Sequence, residues 1–129
     1  MIENLEIQEI LDELAELVKL GKTQEIRELL EDLPTATVVD FLNDKADTDI
    51  IHFLILLEQG DAGRIYSYFP TEKQYELSKI VDNRTFSDFF THMYSDSRAD
   101  LFQEFSKEEQ IELLPFLDKK TREDVIVLS

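Results

Sequence analysis

Cysteine is absent from this 129-residue sequence, and with it every disulfide and every thiolate zinc site. That absence is compatible with the cytosol. Glycine and proline number three each, too few for a flexible linker, so residues 1–129 read as one domain. Basic residues are scarce: 13 Lys+Arg stand against 29 Asp+Glu, a formal charge of −16. Such a surface repels phosphate backbones and anionic lipid, which argues against nucleic-acid and membrane-surface binding, and it gathers cations. The plain alternative is that the carboxylates only provide solubility. Long apolar runs are missing too. The longest, Ile50 to Leu57, falls far below the ~18–20 residues that span a bilayer. Early acids and no basic region at Met1 to Glu6 exclude a signal peptide.

What is present is rhythm. From about Thr35 onward, capping residues alternate with short apolar-striped segments, with starts near Thr35, Thr48, Asp61, Thr71, Thr85, Ser95, Ser106 and Thr121. Helices of about two to three turns are marginal alone and persist by stacking on neighbours. The pattern therefore predicts an all-α array of about eight to ten short helices. Before it, Leu5, Ile7, Ile10, Leu11, Leu14, Leu17 and Val18 form a helical stripe, with Gly21 at the C′ position and Thr23 as the next cap. Pro34 then stops the second helix, so residues 1–33 read as a helical hairpin and 34–129 as the array.

Residues 50–57 are apolar nearly all round, the mark of a buried helix at the centre of a domain. A strand is the competing reading, set aside because no second strand exists to pair with it. The expected centre is Phe41, Leu42, Phe53, Leu54, Leu57, Ile80 and Leu101. Thr71-x-x-Gln74, Ser106-x-x-Glu109 and, more weakly, Thr121-x-x-Asp124 have the form of capping boxes. An apolar stripe running to Ser129 without a helix-stop signal reads as a domain cut from a longer protein.

Enzymatic signatures are missing: no G-x-S-x-G, P-loop, H-E-x-x-H or EF-hand loop occurs, so the chain reads as a non-enzyme. His52 reads as a buried, hydrogen-bonded core histidine, and Asp88 with His92 as an i, i+4 surface contact. The aromatics Tyr66, Tyr68, Phe69, Phe86, Phe89, Phe90, Phe102, Phe105 and Phe116 recur at helical spacing. They suit a core, or in part a partner-binding face. The carboxylates offer one sharper constellation. Asp96 and Asp100, four residues apart, share a helix face near its N-terminus. Two such charges suit a hard cation such as Mg2+, held by one or two carboxylates and its own waters. The simpler reading from spacing alone is that both favour the positive end of the helix dipole.

From about Leu17 onward the order and spacing of these segments resemble the cytosolic N-terminal domain of the MgtE magnesium channels and transporters. The resemblance rests on Glu25 to Pro34 (Glu-Ile-Arg-Glu-Leu-Leu-Glu-Asp-Leu-Pro) and on Ser106 to Leu114, a capped helix closed by leucines. It implies a right-handed superhelix followed, beyond residue 129, by paired CBS domains and a dimeric membrane pore. It also implies regulation at the cytoplasmic face of the membrane, where Mg2+ bound between this domain and the CBS domains favours the closed pore. The family pattern D-D-x-A-D falls on Asp96-Ser97-Arg98-Ala99-Asp100, which keeps the first and last aspartates as metal ligands. Ser97 replaces the second aspartate, and Arg64 falls where some members carry an acid. The short-helix arrangement is also similar to part of the flagellar motor switch protein FliG, a protein-interaction scaffold without metal sensing. An acidic cluster at Asp96 and Asp100 points to the first, an exposed apolar face to the second.

Overall fold

Helix starts fall twelve residues apart along the whole array. The computed structural model describes residues 4–128, and it opens on the long helix α1 (Asn4–Leu20). There follow α2 (Thr23–Leu30), α3 (Thr35–Leu42), α4 (Asp47–Ile55), α5 (Gln59–Tyr68) and α6 (Thr71–Ser78). The rest are α7 (Asn83–Thr91), α8 (Ser95–Glu104), α9 (Lys107–Leu113) with a 3-10 turn at Leu114–Phe116, and α10 (Lys119–Leu128). Every element among the described residues is helical, and residues 47–55 are helix rather than strand. Of the expected apolar positions, Leu5, Val127 and Leu128 lie outside the residues whose side chains are described.

Helices this short cannot bury a face alone, so each packs on the helix after next. One layer runs α3, α5, α7, α9; the other runs α4, α6, α8, α10. The α1–α2 hairpin closes the N-terminal end. Its turn is a Schellman motif: Gly21, at φ 70°, donates to the Val18 carbonyl (3.1 Å), and Lys22 donates to that of Leu17 (3.0 Å).

A twelve-residue register explains what each position does. The seventh residue of each helix from α4 onward is buried: Phe53, Ile65, Leu77, Phe89, Leu101, Leu113 and Val125. The fifth is buried in most inner helices (Val39, Ile51, Gly63, Ser87, Ala99), yet Ile111 at this place in α9 is 66% exposed. Ile126, eighth in α10, is 62% exposed where Phe90 and Phe102 are buried. Among the described residues no helix follows to cover α9 and α10.

Several sequence expectations are corrected here. His52 is exposed, not buried, because the sixth place of a helix faces outward while Ile50, Ile51, Phe53 and Leu54 take the inner faces of α4. Ile55 is likewise 55% exposed, so α4 is not buried all round. Ile80 is 44% exposed because α6 ends at Ser78 and leaves it in the turn, and Phe41 is only partly buried. Leu42, Phe53, Leu54, Leu57 and Leu101 are core as expected, as are the aromatics apart from Tyr68 and Phe116. Ser106 and Glu109 form the capping box. The other two do not form, because Thr71 and Thr121 lie inside their helices and the residues before them take the cap position. Asp118 instead accepts from the Thr121 N–H (3.0 Å).

Candidate functional site

Asp96 and Asp100 occupy the second and sixth places of α8, both exposed, on the side opposite its buried Arg98, Leu101 and Phe102. With Ser95 and Ala99 they line an open, shallow depression. Asp96 Oδ1 accepts from the Ser97 N–H (3.0 Å), which ties it to the first turn and its unpaired backbone donors. Among the described residues neither aspartate forms an ion pair.

The register shows how far this pair is special. The sixth places read Glu28, Asp40, His52, Arg64, Glu76, Asp88, Asp100, Glu112 and Asp124, so an acid there is the rule of the array. An acid at the second place as well is rarer. It occurs in α6 (Glu72, Glu76), α8 (Asp96, Asp100) and α9 (Glu108, Glu112). Since α6 packs on α8, two such helices adjoin in one layer.

Arg98 lies between the two aspartates in sequence but behind them in space. Its side chain is 8% exposed; Nη1 donates to the carbonyls of Thr91 (2.9 Å) and Met93 (3.3 Å), and Nη2 lies 3.5 Å from Asp124 Oδ2. The guanidinium thus fastens α8 to the end of α7 and to α10, and leaves the outer face to the carboxylates. Arg64 is half-buried and committed to Asp61 (2.8 Å) and the Thr35 hydroxyl (3.1 Å), joining α5 to α3. It is a fixed cation at a sixth place that elsewhere holds an acid. His92 approaches the Asp88 carbonyl oxygen with Nδ1 (2.9 Å) rather than its carboxylate, because α7 has ended by then.

Two carboxylates at this spacing offer hard oxygen ligands of the kind Mg2+ takes, but they cannot fill an octahedral shell. Among the described residues no group of three or more acids or histidines is placed to hold a metal ion. The residues fit half of a site, with the rest left to water and a facing surface.

Over residues 33–129 the sequence matches the family described as the MgtE intracellular N domain. The chain belongs to this family. A crystal structure titled as the soluble part of a magnesium transporter shares the fold, at a TM-score of 0.81 and 19% identity over 94% of this chain. The chain spans 48% of that one, about half its length. No curated protein matches. As an MgtE intracellular N domain it is all-α, and no helix among its described residues is long and apolar enough to cross a membrane. Sequence reasoning missed the clamp behind the site: Arg98 reads as an intruder in an acidic motif until the register puts it on the buried face.

Proposed function

We propose that this domain senses Mg2+ for a membrane transporter. In this reading Asp96 and Asp100 form one half of a regulatory site shared with CBS domains, which follow in the same polypeptide of a dimeric transporter. The site works at the cytoplasmic face, and its occupancy controls the pore. Bound Mg2+ would supply a charge that lets two acidic surfaces approach. The observation that carries the reading is that the two carboxylates are exposed, lack any cation of their own among the described residues, and stand on a helix clamped from behind by Arg98. A half-site of this kind binds weakly alone and tightens when the facing domain closes, so metal and closure favour each other.

The test is the Asp96→Ala/Asp100→Ala variant in the full-length transporter. It should need about tenfold more Mg2+ to close, the size of a typical coupling between sites, while the isolated domain keeps its melting midpoint. Closure at the wild-type Mg2+ concentration would leave these aspartates as helix N-terminal charges only.

A further inference from the structure

The acidic series of sixth places is interrupted at His52, and there a groove runs between α1 and the α3–α4 pair. On α1 its wall is one helical stripe, Gln8, Leu11, Asp12, Ala15, Val18 and Lys19, spaced by three and four residues or one. At 1.5 Å per residue the stripe is about 16 Å long. Ala15, Phe41 and Lys45 line both halves of the groove. Helix α1 buries Leu14 and packs Ile10 and Leu17 against the core, yet it leaves Ala15 exposed and Leu11 and Val18 only partly covered.

Charge changes sign along this groove. Toward the C-terminal end of α1 it is lined by Lys19, Lys45 and His52 against one acid, Asp49. Toward the N-terminal end it is lined by Asp12, Asp40 and Asp44, with Lys45 as the one cation. Lys45 lies over the Phe41 ring (4.7 Å) and 3.8 Å from the exposed Asp44 carboxylate. Asp12 accepts from Gln8 Nε2 (2.9 Å), and among the described residues neither Asp12 nor Lys19 forms an ion pair. A helix laid here needs acids at one end, bases at the other and small apolar residues between. An antiparallel copy of α1 has that order: Glu6, Glu9 and Asp12 lie in its first half, and Lys19 in its last turn. A two-fold axis near Ala15 sets the Asp12 of each copy against the Lys19 of the other, so that every contact is made twice.

We propose that α1 is a self-association surface: two copies of this chain pair through antiparallel α1 helices, each seated in the other's groove. Helix α1 precedes residues 33–129, which match the family, so the contact belongs to the N-terminal hairpin and does not depend on the Mg2+ reading. Two bodies of charge −16 repel each other at long range. At physiological ionic strength that repulsion is screened beyond about 8 Å, whereas pairs enclosed in a contact are screened much less.

The experiment is sedimentation equilibrium of the 129-residue chain at physiological ionic strength, up to about 1 mM. The wild type should pass from monomer to dimer over that range. Asp12→Lys and Lys19→Asp should each weaken the dimer at least about tenfold, since each sets like charges face to face. One makes the chain less negative and the other more so, which separates the local pairs from net charge. Asp12→Lys/Lys19→Asp should recover to within about threefold of wild type, because every reversed charge then meets a reversed partner. In this cysteine-free chain, Ala15→Cys should cross-link on oxidation, and Glu13→Cys, exposed on another side of α1, should not. A chain that stays monomeric throughout leaves the groove to another occupant and overturns the proposal. So does a double reversal as weak as the single ones, or a Glu13→Cys chain that cross-links as readily as Ala15→Cys.

Discussion

Gly63 shows how tightly one residue fixes the stack. A Cβ built there would lie 2.4 Å from His92 Cβ and 2.5 Å from the His92 carbonyl carbon, far inside contact distance. The end of α7 therefore crosses α5 at a separation that only glycine permits. Gly63→Ala should cost about 1–3 kcal/mol by overpacking, read as a lower urea midpoint at unchanged m. Gly60, in the same helix with nothing within 4 Å of its Cβ position, is the control. There alanine should stabilise by up to about 1 kcal/mol through helix propensity. Equal midpoints for the two variants would mean that the crossing yields freely. Two exposed caps make a different prediction. The Thr85 backbone N–H, then its hydroxyl, holds Asp82 below the ordinary carboxylate range, and the Thr121 hydroxyl, then its N–H, does so for Asp118. A depressed folded pKa means that their stabilisation is complete above the ordinary aspartate range and is lost as pH falls through the lowered folded value. Asp82→Ala/Asp118→Ala should melt below wild type at neutral pH, and the two curves should converge in acid. A gap that persists below both pKa ranges would assign the loss to something other than the charged caps.

At the scale of elements, the fourth place of some helices solves a recurring problem, the unpaired carbonyls at the end of the helix before it. In most helices this place is apolar: Ile26, Val38, Ile50, Ala62 and Phe86. In four it is long and polar, and three of these, Gln74, Arg98 and Gln110, reach back the same way; the fourth is Arg122. Gln74 donates to the carbonyls of Tyr66 (3.1 Å), Ser67 (3.2 Å) and Phe69 (2.9 Å). Arg98 donates to Thr91 and Met93, and Gln110 to Phe102 (2.9 Å) and Phe105 (3.4 Å). Gln74 is 2% exposed, and the Tyr66 hydroxyl returns a bond to its own carbonyl (2.5 Å). Burial of that phenol, with the Asp47 charge as a lesser cause, pushes its pKa far up, so it stays a donor. Gln74→Leu should cost about 1–3 kcal/mol for the carbonyls it abandons, partly offset because Gln74 Oε1 has no partner. A neutral result would mean that water reaches those carbonyls. This column also explains what the sequence hid. Marking starts by Ser, Thr and Asp placed several of them one or two residues late, because Ala46 and Glu58 sit at cap positions without side-chain caps, and Thr85 and Thr121 were marked in place of the caps Asp82 and Asp118 that hold their N–H groups. Those uneven starts masked the strict twelve-residue period. Helical type, the Gly21 turn and the Ser106 capping box were legible because each depends on local chemistry alone. The exposure of His52, Ile80 and Tyr68 was not, since it depends on where each helix ends and on which of its faces its neighbours cover.

Over the whole molecule the outer sixth places form a largely acidic series, interrupted by His52 and Arg64. Asp96 and Asp100 were legible as a pair from their spacing; that their charges belong to an array-wide pattern was not. The consequence is that cations should act on this fold in two separable ways. A charge of −16 on a compact stack repels itself, and ions gathered along the array relieve that repulsion wherever carboxylates crowd. Thermal melts in millimolar MgCl2 should therefore show a higher midpoint than in NaCl of equal ionic strength, since an ion that binds the folded state preferentially raises its stability. Because the acids are spread over the array, the Asp96→Ala/Asp100→Ala variant should keep most of that rise. The two-carboxylate face contributes little until a second surface completes its shell. Equal midpoints in the two salts would leave the carboxylates with solubility alone. A rise abolished by removing only these two would place the whole effect on α8 and make the isolated domain a far better Mg2+ binder than two carboxylates can account for.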